Sequence, residues 1–173
     1  MYPYGGIFMM TGILTGNSLP VLLYETLVFC AVTGFAIYDL FHRRVPDRAL
    51  LLFCPVALAA PFIQGGGSLE WQTVSGAWAA SLAGAAAGLG ILLAAALVSR
   101  DGTGVGGGDI KLAGIMGFIF GPGRMTAILL TAAALAAIAV LLAKRNNQCK
   151  NLAIPFVPFL AMGNLVIAAA LKF

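Results

Sequence analysis

The sequence predicts an all-α, polytopic membrane protein with about six transmembrane helices. Of its 173 residues, 61% are hydrophobic and only 9% are charged, whereas an average soluble domain has roughly 25% charged residues. The mean hydropathy is +0.98. Apolar segments long enough to approach a membrane span follow one another along the chain, separated by short loops. A chain of this composition has too little polar surface to cover a water-soluble globule.

The apolar segments define the expected elements in order. Residues 1–20 form an outer lead-in that is interrupted by prolines and glycines, and the absence of a basic start argues against a cleaved signal peptide. Residues 21–173 are expected to be one six-helix membrane domain. The predicted spans cover residues 21–40, 49–64, 74–98, 110–120, 126–143 and 155–171.

The third predicted span carries a stripe of small residues. Gly76, Ala80, Gly84 and Gly88 recur every four residues along it. Small residues on one face of a membrane helix let another helix approach closely. We therefore expect a helix to pack on this stripe.

The basic residues predict the orientation of the chain. If there are six spans, the loops at 41–48, 99–109 and 144–154 share one side of the membrane. Eight of the 10 lysines and arginines lie in or beside these loops, and only Arg124 and Lys172 fall on the other side. This positive-inside bias places the three loops in the cytoplasm and both termini outside. The net charge of +4 is thus a topology signal, and no nucleic-acid partner is predicted.

Two aspartates stand out on the predicted cytoplasmic side. Asp39 ends the first apolar span, and Asp109 follows a run of glycines and opens the fourth. Each has an ordinary explanation when taken alone: Asp39 as a solvated helix end paired with Arg43, and Asp109 as an acid favoured by the helix dipole. Two carboxylates at one depth on different helices are what an aspartic protease needs, because one holds a proton while the other is ionised.

Three motifs around these acids carry a family resemblance. Asp39, followed after five residues by Val45-Pro46-Asp47, resembles the first motif of the type IV prepilin peptidases. The segment Gly106-Gly107-Gly108-Asp109-Ile110-Lys111-Leu112 resembles their GxGD motif, which presenilin-type intramembrane proteases also carry. Residues 154–161, with the sequence IPFVPFLA, resemble their C-terminal segment. The three matches occur in the family's order across about residues 30–165.

The resemblance implies a membrane aspartic endopeptidase with Asp39 and Asp109 as the catalytic dyad. Such an enzyme removes the leader peptide of type IV prepilin-like proteins, a processing step in pilus assembly and protein secretion. It would lie in the inner (cytoplasmic) membrane as a multi-pass protein with its active site facing the cytoplasm. The remaining motif residues would bind substrate or support the motifs: Gly106, Gly108, Lys111, Pro46 and Asp47.

The same resemblance sets expectations about partners and cofactors. The substrates would have a short basic leader, then glycine and an apolar helix that lies in the bilayer against the small-residue stripes. No cofactor and no metal are expected, since no metal-ligand spacing occurs in the sequence. The chain shows no cysteine-bearing insert and no CxxC pair. It therefore resembles the short, peptidase-only members, and N-methyltransferase activity is not expected.

Several other residues have simpler interpretations. Asp47, after Pro46, is expected to cap the N-terminus of a helix. Asp101 is a solvated loop acid and the fallback partner of the dyad, and Lys111 is expected to extend to lipid phosphates. His42 is expected at the surface.

Residues 102–107 fit GxGxxG literally, but they follow a membrane span and not a β-strand, so a dinucleotide site is rejected.

Two other functions stay open on sequence grounds. A transporter or channel could use Asp39 and Asp109 to carry ions or protons, because acids inside membranes often mark such pathways. A transporter of this kind would be expected to have its acids near the midplane and an internal repeat, and neither is seen in the sequence. A non-catalytic subunit of a membrane assembly would leave the pairing of two acidic motifs unexplained.

Overall fold

The computed structural model describes residues 19–42, 46–64, 71–98, 106–145 and 156–170. All regular structure in these segments is helical, which confirms the all-α prediction. The helices are α1 (Leu19–His42), α2 (Asp47–Leu58), α3 (Ala60–Gln64), α4 (Trp71–Val98), α5 (Gly107–Arg145) and α6 (Val157–Ala170). Most of the predicted lead-in, at 1–18, and the loop acid Asp101 lie outside the described residues.

The chain has the helices of a polytopic membrane protein. Within the described residues, three stretches are long and apolar enough to cross a membrane: Leu19–His42, Gln72–Val98 and Gly107–Leu142. The predicted second span is divided between α2 and α3, and the predicted sixth span is shorter than expected, with 14 residues in α6. Every predicted apolar segment is thus helical where it is described, although the short ones do not reach the length of a full span.

The longest helix, α5, contains both the fourth and the fifth predicted segments. It is broken at Gly121, whose φ of 73° and ψ of 172° are not helical. Glycine adopts a positive φ without the steric cost that a Cβ would add, and the following Pro122 has no N–H to continue the ladder. The part before the break packs on α4, and the part after it packs on α6, where Gly163 lies against Ile128. The break therefore lets α5 pack against α4 on one side of Gly121 and against α6 on the other.

The small-residue stripe of α4 is the contact with α5. A Cβ built on Gly84 would overlap the carbonyl oxygen of Gly117, and one built on Gly88 would overlap the carbonyl oxygen of Ala113. The two backbones are therefore in direct contact, and the expectation that a helix packs on this stripe is confirmed. The expectation that the stripe receives a substrate helix is wrong for Gly84 and Gly88, because α5 already covers them. Gly76 lies beyond the contact, and a Cβ there would meet nothing within 4 Å.

A side-chain hydrogen bond ties α1 to α2. The hydroxyl of Tyr24 donates to the carbonyl of Val56 at 2.8 Å. Val56 lies in the last turn of α2, where carbonyls lack intrahelical partners. The bond therefore satisfies a polar group that would otherwise face an apolar environment.

We expect Tyr24→Phe to lower the free energy of unfolding by about 1 kcal/mol, the typical net contribution of one hydrogen bond, because the half-buried Val56 carbonyl loses its partner. Denaturant titration in a fixed detergent measures the change. Tyr38→Phe is the matched control, because Tyr38 is 40% exposed and its ring stacks on His42 at a centroid distance of 4.2 Å. Equal stability of the two variants would contradict a structural role for the Tyr24 hydroxyl.

Candidate active site

Asp39 is buried, although it lies near the end of α1. Only 4% of its surface is exposed, so the solvated helix end considered from the sequence is wrong. The backbone N–H of Val157 donates toward its carboxylate. Its second carboxylate oxygen, Oδ2, is buried and has no hydrogen-bond partner among the described residues. Asp39 thus has a backbone donor beside its carboxylate and one oxygen, Oδ2, that no described residue occupies.

The start of α6 explains why Val157 can hold Asp39. Phe156 precedes the helix, and its carbonyl accepts the N–H groups of Phe159 and Leu160 at 3.0 and 3.1 Å. Val157 is the first residue of α6, and the first N–H groups of a helix have no intrahelical acceptor. This N–H therefore needs an outside partner, and Asp39 supplies it. The IPFVPFLA motif contains Val157, but nothing in the sequence itself assigns this role to its backbone N–H.

Asp109 is positioned by the glycines that precede it. Gly106 stands just before α5, and its carbonyl accepts the N–H groups of Asp109 and Ile110 at 3.0 and 3.3 Å. The Asp109 carboxylate in turn accepts from the backbone of Gly106, which is one half of a capping box, since glycine has no side chain to supply the other half. A Cβ on Gly106 would lie 3.4 Å from Oδ2 of Asp109. The carboxyl group thus folds back against Gly106, at the distance of an ordinary van der Waals contact with a Cβ there.

The two acids lie close enough to affect each other. The carboxyl group of Asp109 is half-buried, and it interacts electrostatically with the carboxyl group of Asp39. Asp39 comes from the end of α1, and Asp109 comes from the first turn of α5. The fold thus brings together the two acids that the sequence paired, and it adds a helix N-terminus from α6 beside them.

An exposed ion pair connects the two acidic motifs. The Lys111 ammonium group lies 2.7 Å from Oδ1 of Asp47, and their side chains are 58% and 69% exposed. Asp47 is in the first turn of α2, as expected, but it caps nothing: the N-cap is Pro46, and there is no side-chain capping bond. The expectation that Lys111 extends to lipid phosphates is also corrected, because its ammonium group is paired with Asp47.

The remaining predicted site residues lie at the starts of α2 and α5. Pro46 accepts the N–H groups of Ala49 and Leu50 and so starts α2. Gly108 is a half-buried residue in the first turn of α5. His42 is exposed, as predicted. These placements bring all the predicted motif residues to the ends of α1, α2 and α5.

An apolar groove runs between α1 and α2 and extends to the end of α1 that carries Asp39. Its volume is ≈ 510 Å³, and a Cβ added at Gly34 in its wall would meet nothing within 4 Å. One end is formed by Tyr38 and Pro46, which are the neighbours of Asp39 and Asp47 in the chain. The other residues along it are Leu27, Ala31, Phe35, Ala49, Leu52, Phe53 and Val56.

Comparison with known proteins identifies one family. The profile of the type IV leader peptidase family matches residues 26–141, a range that includes both Asp39 and Asp109. The chain is 33% identical over 165 residues to the prepilin leader peptidase/N-methyltransferase of Bacillus subtilis (strain 168). This alignment covers 92% of the chain and 60% of the relative, so the chain spans about 60% of that protein's length. No solved structure matches it at a significant level.

Proposed function

We propose that this chain, which belongs to the type IV leader peptidase family, is a membrane aspartic endopeptidase that removes the leader from prepilin-like proteins. The observation that carries the proposal is the pair of acids, Asp39 and Asp109. They come from different helices, they interact, and each is held by a backbone N–H group. A pair of carboxylates set in this way has the components that water-mediated peptide hydrolysis requires.

The proposed chemistry divides the work between the two carboxyl groups. The ionised one takes a proton from a water molecule as that water attacks the carbonyl carbon of the scissile peptide. The protonated one donates its proton to the carbonyl oxygen. Collapse of the tetrahedral intermediate then breaks the C–N bond, and the leaving nitrogen takes the proton that the first carboxyl group gained from water. A hydroxyl of the intermediate returns a proton to the second carboxyl group as the new carbonyl forms, which restores both acids. Two nearby carboxylates suit this exchange, because like charges at short range favour sharing one proton.

The positions of the acids favour a peptidase over a transporter. Asp39 lies three residues before the end of α1, and Asp109 lies in the first turn of α5. Both acids are therefore at helix ends, whereas an ion-transport site would be expected near the midplane. The basic residues Arg48 and Lys111 lie at the same ends of their helices. By the positive-inside rule this supports an active site at the cytoplasmic face of the inner membrane.

The groove between α1 and α2 is the proposed place for the apolar helix of the substrate. It is lined by apolar side chains and leads to Tyr38, next to Asp39. An apolar helix in this groove would bring the peptide bond at its end to the depth of the dyad. The leader that precedes this bond would lie at the anionic cytoplasmic surface, which attracts basic residues.

Gly34→Leu tests this placement, because it adds a side chain to the groove wall at a position whose Cβ would meet nothing within 4 Å. We expect a several-fold rise in KM for a prepilin-like peptide, with an unchanged Tm. Gly76→Leu is the matched control: its Cβ also meets nothing within 4 Å, but it lies on α4 and outside the groove. If both variants keep the KM of the wild type, the substrate helix lies elsewhere.

The activity itself is tested with the purified protein in lipid nanodiscs. The substrate is a synthetic peptide with a basic leader, a glycine and an apolar helix, and the products are identified by mass spectrometry. We expect a single cut at the end of the leader. Absence of cleavage by a folded protein in a bilayer, together with proton or ion flux through proteoliposomes, would instead favour the transporter.

A further inference from the structure

A second polar site lies far from the acids. Glu25 precedes Asp39 by 14 residues on α1, and Arg124 follows Asp109 by 15 residues on α5. At 1.5 Å per residue, each lies about 20 Å along its helix from the dyad. A cavity of ≈ 260 Å³ lies at this level between α1, α5 and α6. Its lining includes Leu22, Glu25, Thr26, Phe29, Arg124 and Asn164.

Arg124 is held in one orientation in this cavity. Its Nη1 donates to Oε1 of Glu25 at 3.0 Å, and its side chain is only 13% exposed. The guanidinium carbon lies 4.5 Å from the centroid of the Phe120 ring, a favourable cation–π geometry. The cavity therefore has a fixed cation beside a fixed anion.

Two buried polar atoms here have unmet hydrogen-bonding needs. Nε of Arg124, a donor, and Oδ1 of Asn164, an acceptor, are both buried without a partner among the described residues. Asn164 is only 2% exposed. Such unpaired groups are costly to bury. A ligand that offered both an acceptor and a donor would satisfy both atoms.

The arrangement of charge defines the ligand class. A phosphate oxygen can accept from Nε of Arg124, and an ammonium group can donate to Asn164 and to the carboxylate of Glu25. The apolar walls, with Leu22 and Phe29, suit hydrocarbon. We propose that this cavity binds the phosphoethanolamine headgroup of an aminophospholipid, on the membrane side opposite the dyad. Choline has no N–H to donate, and a glycerol headgroup has no cation for Glu25.

Lipid-dependent stability tests the proposal without any use of peptidase activity. The full chain is purified in one detergent, and its Tm is measured with equal additions of phosphatidylethanolamine or phosphatidylcholine of the same acyl chains. We expect the Tm with phosphatidylethanolamine to be higher by about 2–4 °C. Soluble O-phosphoethanolamine forms a third arm. A Tm shift as large as that with phosphatidylethanolamine would assign the site to the free phosphate ester and overturn the lipid assignment. A smaller Tm shift supports the lipid.

Two variants locate the effect. Asn164→Leu is close in volume and removes the acceptor, so the preference for phosphatidylethanolamine should disappear. Thr26→Val is the matched control, because Thr26 lines the cavity but its hydroxyl already donates to the carbonyl of Leu22 at 2.8 Å; it should keep the preference. Equal Tm shifts by both lipids in the wild type, or an unchanged preference in Asn164→Leu, would overturn the proposal.

Discussion

Asparagine at Asp39 or at Asp109 is expected to abolish cleavage of a prepilin-like peptide, with kcat/KM falling about 10²–10⁴-fold in each variant. An amide is close to a carboxyl group in size, but it can neither take a proton from water nor donate one to the peptide oxygen. Neither remaining acid can do both tasks. Both variants should fold and insert, because asparagine can still accept from the backbone N–H groups of Val157 and Gly106. Peptide hydrolysis and Tm, measured on the same preparations, check both statements.

The controls for the dyad are the other two aspartates on the predicted cytoplasmic side. Asp47→Asn and Asp101→Asn should retain substantial activity. Asp47 is 69% exposed and paired with Lys111, and an exposed ion pair contributes only about 0–1 kcal/mol. An active Asp109→Asn protein would contradict the dyad. An inactive Asp101→Asn protein with an active Asp109→Asn one would move the second catalytic role to Asp101.

The sequence predicted the helices and the two acids because both leave local signals. Apolar runs mark the helices, and charged residues within or beside such runs are rare enough to be noticed. The Gly121-Pro122 pair also has a direct structural consequence, because it breaks α5. These features depend on neighbours in the chain, so one sequence suffices to predict them.

The contacts that the sequence did not predict join residues that are far apart in the chain. Lys111 pairs with Asp47 across 64 residues, and Arg124 pairs with Glu25 across 99. Nothing in the sequence near Lys111 distinguishes an ion pair from a lipid contact. The choice depends on how α2 and α5 pack, and packing is set by the whole fold. The contact between the Val157 N–H and Asp39 could not be predicted either, because a backbone N–H does not depend on the type of residue that carries it.

The stripe on α4 shows the same limit in a form that can be tested. Its period of four predicts close packing against some helix, but the period alone does not say which one. The structure gives α5 as the partner, through Gly84 and Gly117, and each glycine lies against the other's backbone carbonyl oxygen. The expected substrate helix therefore has no access at this point.

Gly84→Ala is accordingly expected to destabilise the protein by about 3 kcal/mol or more, a large effect for one methyl group. The new Cβ would overlap the carbonyl oxygen of Gly117 and crowd the backbone of Gly121, and neither backbone group can turn aside as a side chain can. The two helices must separate, which removes the support for α5 and for Asp109 at its start.

Gly90→Ala, on the same helix with nothing within 4 Å of its Cβ, should be neutral or stabilising by up to about 1 kcal/mol, because alanine favours helix. Denaturant titration of both variants in one detergent makes the comparison, and equal stability would show that α4 and α5 are not in backbone contact at Gly84.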